Sequence, residues 1–186
     1  PGNSPYQSVS AFAGSPLMVA LEPLIEAGWL ETPALPQEKF DAHQVHFGQV
    51  IPFRIEQLRK AAAGFFVRAT AAQNQNFADW KKQQAYWLND YGLFMALETA
   101  NNGQAWWEWP KAQARRDAAT LDTARKTHAD EIHFWEFVQW CFDTQLKTIK
   151  TYANQRGVSI MGDLPIFIAH HSADCWARPD LYFLHD

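Results

Sequence analysis

The fold turns on residues 157–165, Gly157-Val158-Ser159-Ile160-Met161-Gly162-Asp163-Leu164-Pro165. Residues 158–161 are short and β-prone, and they lie between a helix-ending glycine and an aspartate. Upstream, from about Asp130, the side chains Trp135, Val138, Phe142, Leu146 and Ile149 recur at spacings of three and four, which puts them on one helical face. Phe134, Phe137, Trp140 and Cys141 fill further faces, so this helix is expected to be largely enclosed. Lys150 and Arg156 suit its negative end, and Gly157 suits a left-handed cap. Helix, glycine, short strand and an aspartate at the strand's exit make the αβ half of a parallel barrel unit, in which the carboxyl ends of strands gather the active site. On pattern alone, Asp163 reads equally well as a ligand contact and as a cap for the turn that follows.

The remaining sequence reads mainly as helices and turns. Residues 1–16 hold Pro1, Gly2, Asn3, Ser4, Pro5, Ser8, Ser10, Gly14, Ser15 and Pro16, which predicts a structured loop with Phe12 as its anchor. A turn or two of helix is expected over 17–30, with Pro23 early and Gly28 near the stop. A moderate helix over about 50–63 should end at Gly64, and one or two helices should occupy 74–97. Asn101-Asn102-Gly103 is a turn, Trp106-Trp107-Glu108-Trp109-Pro110 is an aromatic cluster stopped by proline, and 111–131 reads as a solvated helix. For Trp106, Trp107 and Trp109 the favoured reading is core packing, with a sugar platform as the alternative.

Composition narrows the function classes. The chain has 186 residues, 47% hydrophobic and 19% charged, which is the range of globular domains and not of disordered ones. Its formal net charge of −4 and the lack of any basic run argue against a nucleic-acid partner. No apolar stretch approaches the roughly 20 residues of a membrane-spanning helix. Cys141 and Cys175 show no C-x-x-C spacing, so neither a disulfide framework nor a zinc site is supported, and a cytoplasmic location fits best. His170, His171 and Asp174 invite a metal reading, but adjacent histidines on an extended segment point to opposite faces and do not readily share one ion.

Four separated stretches then fall in one order. They are Ser4-Pro5-Tyr6-Gln7-Ser8 with Ser10-Ala11-Phe12-Ala13-Gly14-Ser15-Pro16-Leu17, Trp87-Leu88-Asn89-Asp90-Tyr91-Gly92-Leu93-Phe94, Trp106-Trp107-Glu108-Trp109-Pro110, and Gly162-Asp163-Leu164-Pro165-Ile166-Phe167-Ile168-Ala169-His170-His171-Ser172-Ala173-Asp174-Cys175-Trp176-Ala177. This series resembles the 4-α-glucanotransferases, also called amylomaltases or disproportionating enzymes, across nearly the whole chain. The resemblance departs at 171, where an acidic residue is commoner than His171, and at Asn89, where Asp is commoner.

The resemblance implies an α/β fold, the N-terminal part of a (β/α)₈ TIM barrel with large helical insertions. Residues 1–186 would be an incomplete catalytic barrel domain, helix-rich as cut, with an inserted helical subdomain at about 32–130. It further implies transfer of α-1,4-glucan segments to the 4-hydroxyl of glucose or another glucan, with maltooligosaccharides as partners and no metal or organic cofactor. Ser4, Tyr6 and Asp163 would contact sugar. None of them is a nucleophile, because a retaining reaction needs two carboxyl groups about 5 Å apart, and the family's Arg-x-Asp-His string is not found, the nearest run being Arg178-Pro179-Asp180-Leu181. The ends read as internal cuts, so the segment is expected to be inactive alone and, with an unpaired strand edge, marginal or prone to aggregate. The alternatives are a non-catalytic carbohydrate-binding or helical scaffold module, and another α-glucan-active barrel hydrolase.

Overall fold

The computed structural model describes residues 8–32, 40–41, 43–163 and 167–184. In chain order its helices are α1 (Glu22–Glu26), α2 (Phe47–Arg68), α3 (Ala71–Ala100), α4 (Lys111–Ala114), α5 (Ala118–Thr127), α6 (Ala129–Asn154) and α7 (Ala173–Ala177), with 3₁₀ turns at Pro16–Met18, Trp106–Glu108 and Pro179–Leu181. Among the described residues the chain is helix-rich and has no strand. The one β contact is an isolated parallel bridge between Ser8 and Ile168. Residues 158–161, expected as a strand, therefore run without a ladder partner among the described residues. A β-prone stretch becomes a strand only when a neighbour supplies the other half of its hydrogen bonds. The described residues are thus helix-rich, as expected of the segment as cut, and by themselves they do not show a barrel.

Helix by helix, the causes are local. Pro23 stands in the first turn of α1, where its missing N–H costs nothing, and Gly28 leaves the helix with φ of 72°. α6 ends as its sequence predicts, on Gly157 at φ 72°, with the Val158 amide donating to the Ala153 carbonyl. Its enclosure stops part way. Residues 134–141 are buried, whereas Leu146 and Ile149 are exposed. Two boundaries also differ from expectation. α2 runs through Gly64 to Arg68, because Gly64 allows a close approach: a Cβ there would stand 1.9 Å from the Trp29 carbonyl oxygen. The single helix expected over 111–131 is broken at Arg116, whose φ is 59°. Asp117 then caps α5 by accepting from the Thr120 amide at 2.9 Å.

The chain divides into two compact units, whose boundaries fall inside α3 and α6. The unit made of Gly14–Trp80 and Phe137–Val158 is organised around Phe65, which is fully buried. Its ring lies 4.9 Å from Trp29, 5.1 Å from Phe137, 5.1 Å from Trp140 and 5.5 Å from Phe77. The indole N–H groups find acceptors, Trp80 on Asp143 at 2.8 Å and Trp140 on Asn76 at 3.1 Å, as buried tryptophans must. Two glutamines of α6 grip the incoming loop by its backbone. Gln139 accepts from the Gly14 amide and donates to its carbonyl, and Gln145 does the same for Ala20.

The other unit comprises the described residues of Pro1–Ala13, Lys81–Glu136 and Ser159–Asp186. Its core is built on Phe94, which packs against Trp109 at 5.4 Å and Trp176 at 5.9 Å. Lys81 reaches the buried carboxylate of Glu136 at 2.5 Å. Arg116, held in its left-handed conformation, donates to Asp90 at 2.6 Å and lays its guanidinium 4.2 Å from the centre of the Trp176 ring. Both cysteines are buried and unpaired, and burial pushes their thiols up, away from the reactive thiolate.

Candidate functional site

The site assembles where the opening loop meets the segment 167–178. Ser8 and Val9 offer their carbonyls to the amides of Ala169 at 3.1 Å and Ala173 at 2.8 Å, and the Ala11 amide donates to Asp174 Oδ2 at 2.5 Å. Within the loop, the buried Ser10 turns its hydroxyl back to accept from the Phe12 and Ala13 amides. Phe12, the expected anchor, is half exposed and rests edge-on against Tyr86 and flat against Trp87. On the receiving side, fully buried Ser172 caps α7 by accepting from the Cys175 amide at 3.2 Å. That cap fixes Asp174 in the first turn, facing the loop.

Asp174 is half-buried, and burial pushes its carboxyl above the ordinary value. Hydrogen bonds from the Ala11 amide and the Ser10 hydroxyl pull it back, and the nearby Asp90 carboxylate adds a smaller upward push. A carboxyl raised on folding holds its proton better when folded. Its contribution therefore favours the fold at acid pH and is lost as pH rises from 3.8 through the raised value. Asp174→Asn keeps the acceptor and removes the charge. It is expected to gain stability relative to the parent at pH 7 and to converge with it at about pH 3, below the unfolded value. Asp174→Ala should instead cost about 1 kcal/mol through the lost hydrogen bond. Urea titrations at the two pH values check both, and a parent whose stability difference from Asp174→Asn does not change with pH contradicts the assignment.

The two adjacent histidines have different tasks. The Trp106 amide donates to His171 Nδ1 at 3.1 Å, so that nitrogen carries no proton, and Nε2–H donates to Glu98 Oε1 at 2.9 Å. The ring also packs 5.3 Å from Phe94. His171 thus ties the segment 167–172 to α3 and to the 3₁₀ turn. His170 is exposed, receives the Trp106 indole N–H on its carbonyl at 2.9 Å, and stacks its ring on Trp107 at 4.3 Å and 21°. Of the three neighbouring tryptophans, Trp109 is the core residue, 3% exposed with its N–H on the Gln104 carbonyl. Trp107 is 47% exposed. Beside it lies a hollow of about 560 Å³ lined by Gly103, Ala105, Trp107, Phe167, Ile168 and His170 among others. Among the described residues, no group of three or more His, Cys, Asp and Glu side chains is placed to hold a metal ion.

Of the expected sugar contacts, Ser4 and Tyr6 lie outside the described residues, and Asp163 is exposed. The bridge from Ser8 to Ile168 brings the loop that carries the first two beside the segment that follows the third. Sequence reasoning missed Glu98, Arg116 and the glutamine grips, and weighed Asp174 only as a metal ligand, not as the anchor of the opening loop. Only Asp174, standing two residues after a Ser N-cap, carried a local signal.

The comparisons agree in direction. The family model described as 4-alpha-glucanotransferase matches residues 1–186. The chain is 40% identical over 185 residues to the 4-alpha-glucanotransferase of Thermus thermophilus, covering 98% of this chain and 36% of that protein. It is 30% identical over 183 residues to the chloroplastic/amyloplastic 4-alpha-glucanotransferase of Solanum tuberosum, covering 97% and 31%. Among solved structures, the amylomaltase from Streptococcus agalactiae in complex with acarbose superposes with a TM-score of 0.87 at 29% identity, covering 98% of this chain and 37% of that one. The chain spans about a third of the length of the curated relatives it matches. With the family model satisfied from first residue to last and the fold shared with an amylomaltase, the chain belongs to the 4-alpha-glucanotransferase family.

Proposed function

We propose that the chain supplies the opening wall of the sugar cleft of a cytoplasmic 4-α-glucanotransferase, the first part of a (β/α)₈ barrel whose helical insertion is centred on about 32–130. The enzyme cuts an α-1,4-glucan and passes the glucosyl part to the 4-hydroxyl of another sugar. The single observation that supports this reading is the parallel Ser8–Ile168 contact. It joins the opening loop to the segment that follows Asp163, beyond the exit of the stretch 158–161, on the side where a parallel barrel gathers its active site. Ser4 and Tyr6 on the opening loop and Asp163 after Gly162 then serve as hydrogen-bonding partners for glucosyl hydroxyls. The carboxylate pair that attacks the anomeric carbon and protonates the leaving oxygen lies on later strands. No helix of the described residues is long and apolar enough to cross a membrane, and the net charge of −4 suits a neutral, hydroxyl-rich substrate better than a polyanion.

Maltotriose provides the test. The 186-residue chain alone should release neither glucose nor longer oligomers, and a chain continued through the later barrel strands should produce both. In that longer enzyme Asp163→Asn is expected to lower kcat/KM by roughly a hundredfold, about 2.7 kcal/mol of transition-state stabilisation. Disproportionation by the short chain, or an unchanged kcat/KM in the variant, overturns the reading.

A further inference from the structure

We infer that the hollow beside Trp107 is a glucosyl-binding platform of its own, separate from the contacts assigned to Ser4, Tyr6 and Asp163. The inference rests on the family reading for the identity of the ligand and on geometry for the place. Trp107 is the only one of the three clustered tryptophans offered to solvent to this extent: Trp109 is buried in the core and Trp106 is half-buried, spending its amide and indole N–H on His171 and His170. The Trp107 indole, 47% exposed, offers apolar surface on this hollow. It is also held rigid. His170 stacks on it at 4.3 Å, Trp106 meets it edge-on at 5.5 Å, and His171, itself tied to Glu98, closes the corner at 6.0 Å.

A preformed aromatic plane loses little conformational entropy when a ligand settles on it. Phe167, 75% exposed, lines the same hollow. Gly103, in the left-handed conformation at φ 73°, contributes a wall without a side chain. The hollow's volume of about 560 Å³ falls in the range of small-ligand sites, roughly 300–1,000 Å³. What fits such a place is a flat-faced, uncharged ring with polar edges. The apolar C–H face of a pyranose lies on the indole, and the hydroxyls reach the exposed His170 imidazole at the rim of the hollow. An α-1,4-linked glucan presents such faces along its length, so the platform would hold a residue of a longer chain and favour longer maltooligosaccharides over maltose.

Calorimetric titration with maltoheptaose tests the platform on the 186-residue chain and on the longer enzyme. Trp107→Ala is expected to weaken binding about tenfold, and Trp107→Phe, which keeps an aromatic plane, to stay within about threefold of the parent. Phe167→Ala, at a position too exposed to threaten the fold, should weaken binding about threefold and guards against misfolding of the alanine variant at 107. Tyr6→Ala, measured in parallel, separates the two readings. If Trp107→Ala and Phe167→Ala bind like the parent while Tyr6→Ala does not, the platform is overturned and the proposed function stands. If maltoheptaose binds to none of the proteins, including the parent enzyme, the family-based choice of ligand fails and the platform with it. Equal losses for maltose and maltoheptaose in Trp107→Ala would also overturn a site reserved for longer chains.

Discussion

Phe65→Ala is expected to remove about 3–5 kcal/mol of stability, measured by chemical denaturation, the largest loss available to a single substitution in its unit. The side chain is wholly buried and touches four rings from three other segments of that unit: Trp29 in the loop after α1, Phe77 on α3, and Phe137 and Trp140 on α6. Four rings within about 5.5 Å cannot all close over the vacancy, because two of the residues are themselves pinned, Trp140 by Asn76 and the Trp29 backbone by Arg68. The remaining cavity adds its own cost to the lost transfer energy. Domains of this size are stable by only about 5–15 kcal/mol in total, so the variant should lose a large share of its margin and unfold at markedly lower denaturant. A loss below about 1.5 kcal/mol would mean that the aromatic cluster repacks and is not the organising centre described above.

Lys81→Met is expected to cost about 3 kcal/mol, for a different reason. The Glu136 side chain is 6% exposed, and Lys81 meets it at 2.5 Å from the neighbouring helix. Methionine preserves the apolar stem but leaves a carboxylate in a site that water hardly reaches, and an uncompensated buried charge is the costly outcome of breaking such a pair. The double variant Lys81→Met/Glu136→Gln should recover much of the loss, since it removes the stranded charge as well as its partner. Denaturation of the four proteins in the cycle decides it. If the single and double variants are equally destabilised, the pair contributes through packing of the lysine stem and not through charge.

How far the chain could be read in advance depended on what each feature answers to. α1, α3, the turn at 101–103 and the end of α6 were legible because periodicity, proline placement and a glycine cap act within a few residues. Gly64 was misread as a stop. A glycine that ends a helix and a glycine that admits a passing backbone look alike in sequence, and only the carbonyl of Trp29 tells them apart. The break at Arg116 was invisible because arginine has no preference for positive φ; the conformation is sustained by Asp90 and Trp176, which are remote in sequence. The strand expected over 158–161 depended on a partner that sequence cannot supply. For the site, the motifs named the participating segments, and the Ser8–Ile168 contact brought two of them together. The arrangement of Glu98, His171 and Trp106 could not be read, because it depends on which ring nitrogen faces which neighbour.

The anchoring of Ala11 on Asp174 spans 163 positions of the chain. At a synthesis rate of about 5–20 residues per second, the ribosome needs roughly 8–30 s to deliver the second partner after the first. Until then the Ala11 amide lacks this acceptor, while α2 and α3, whose backbone hydrogen bonds are local, can already form. The junction of the opening loop with α7 is thus among the last contacts to be completed, and its assembly waits on translation rather than on diffusion.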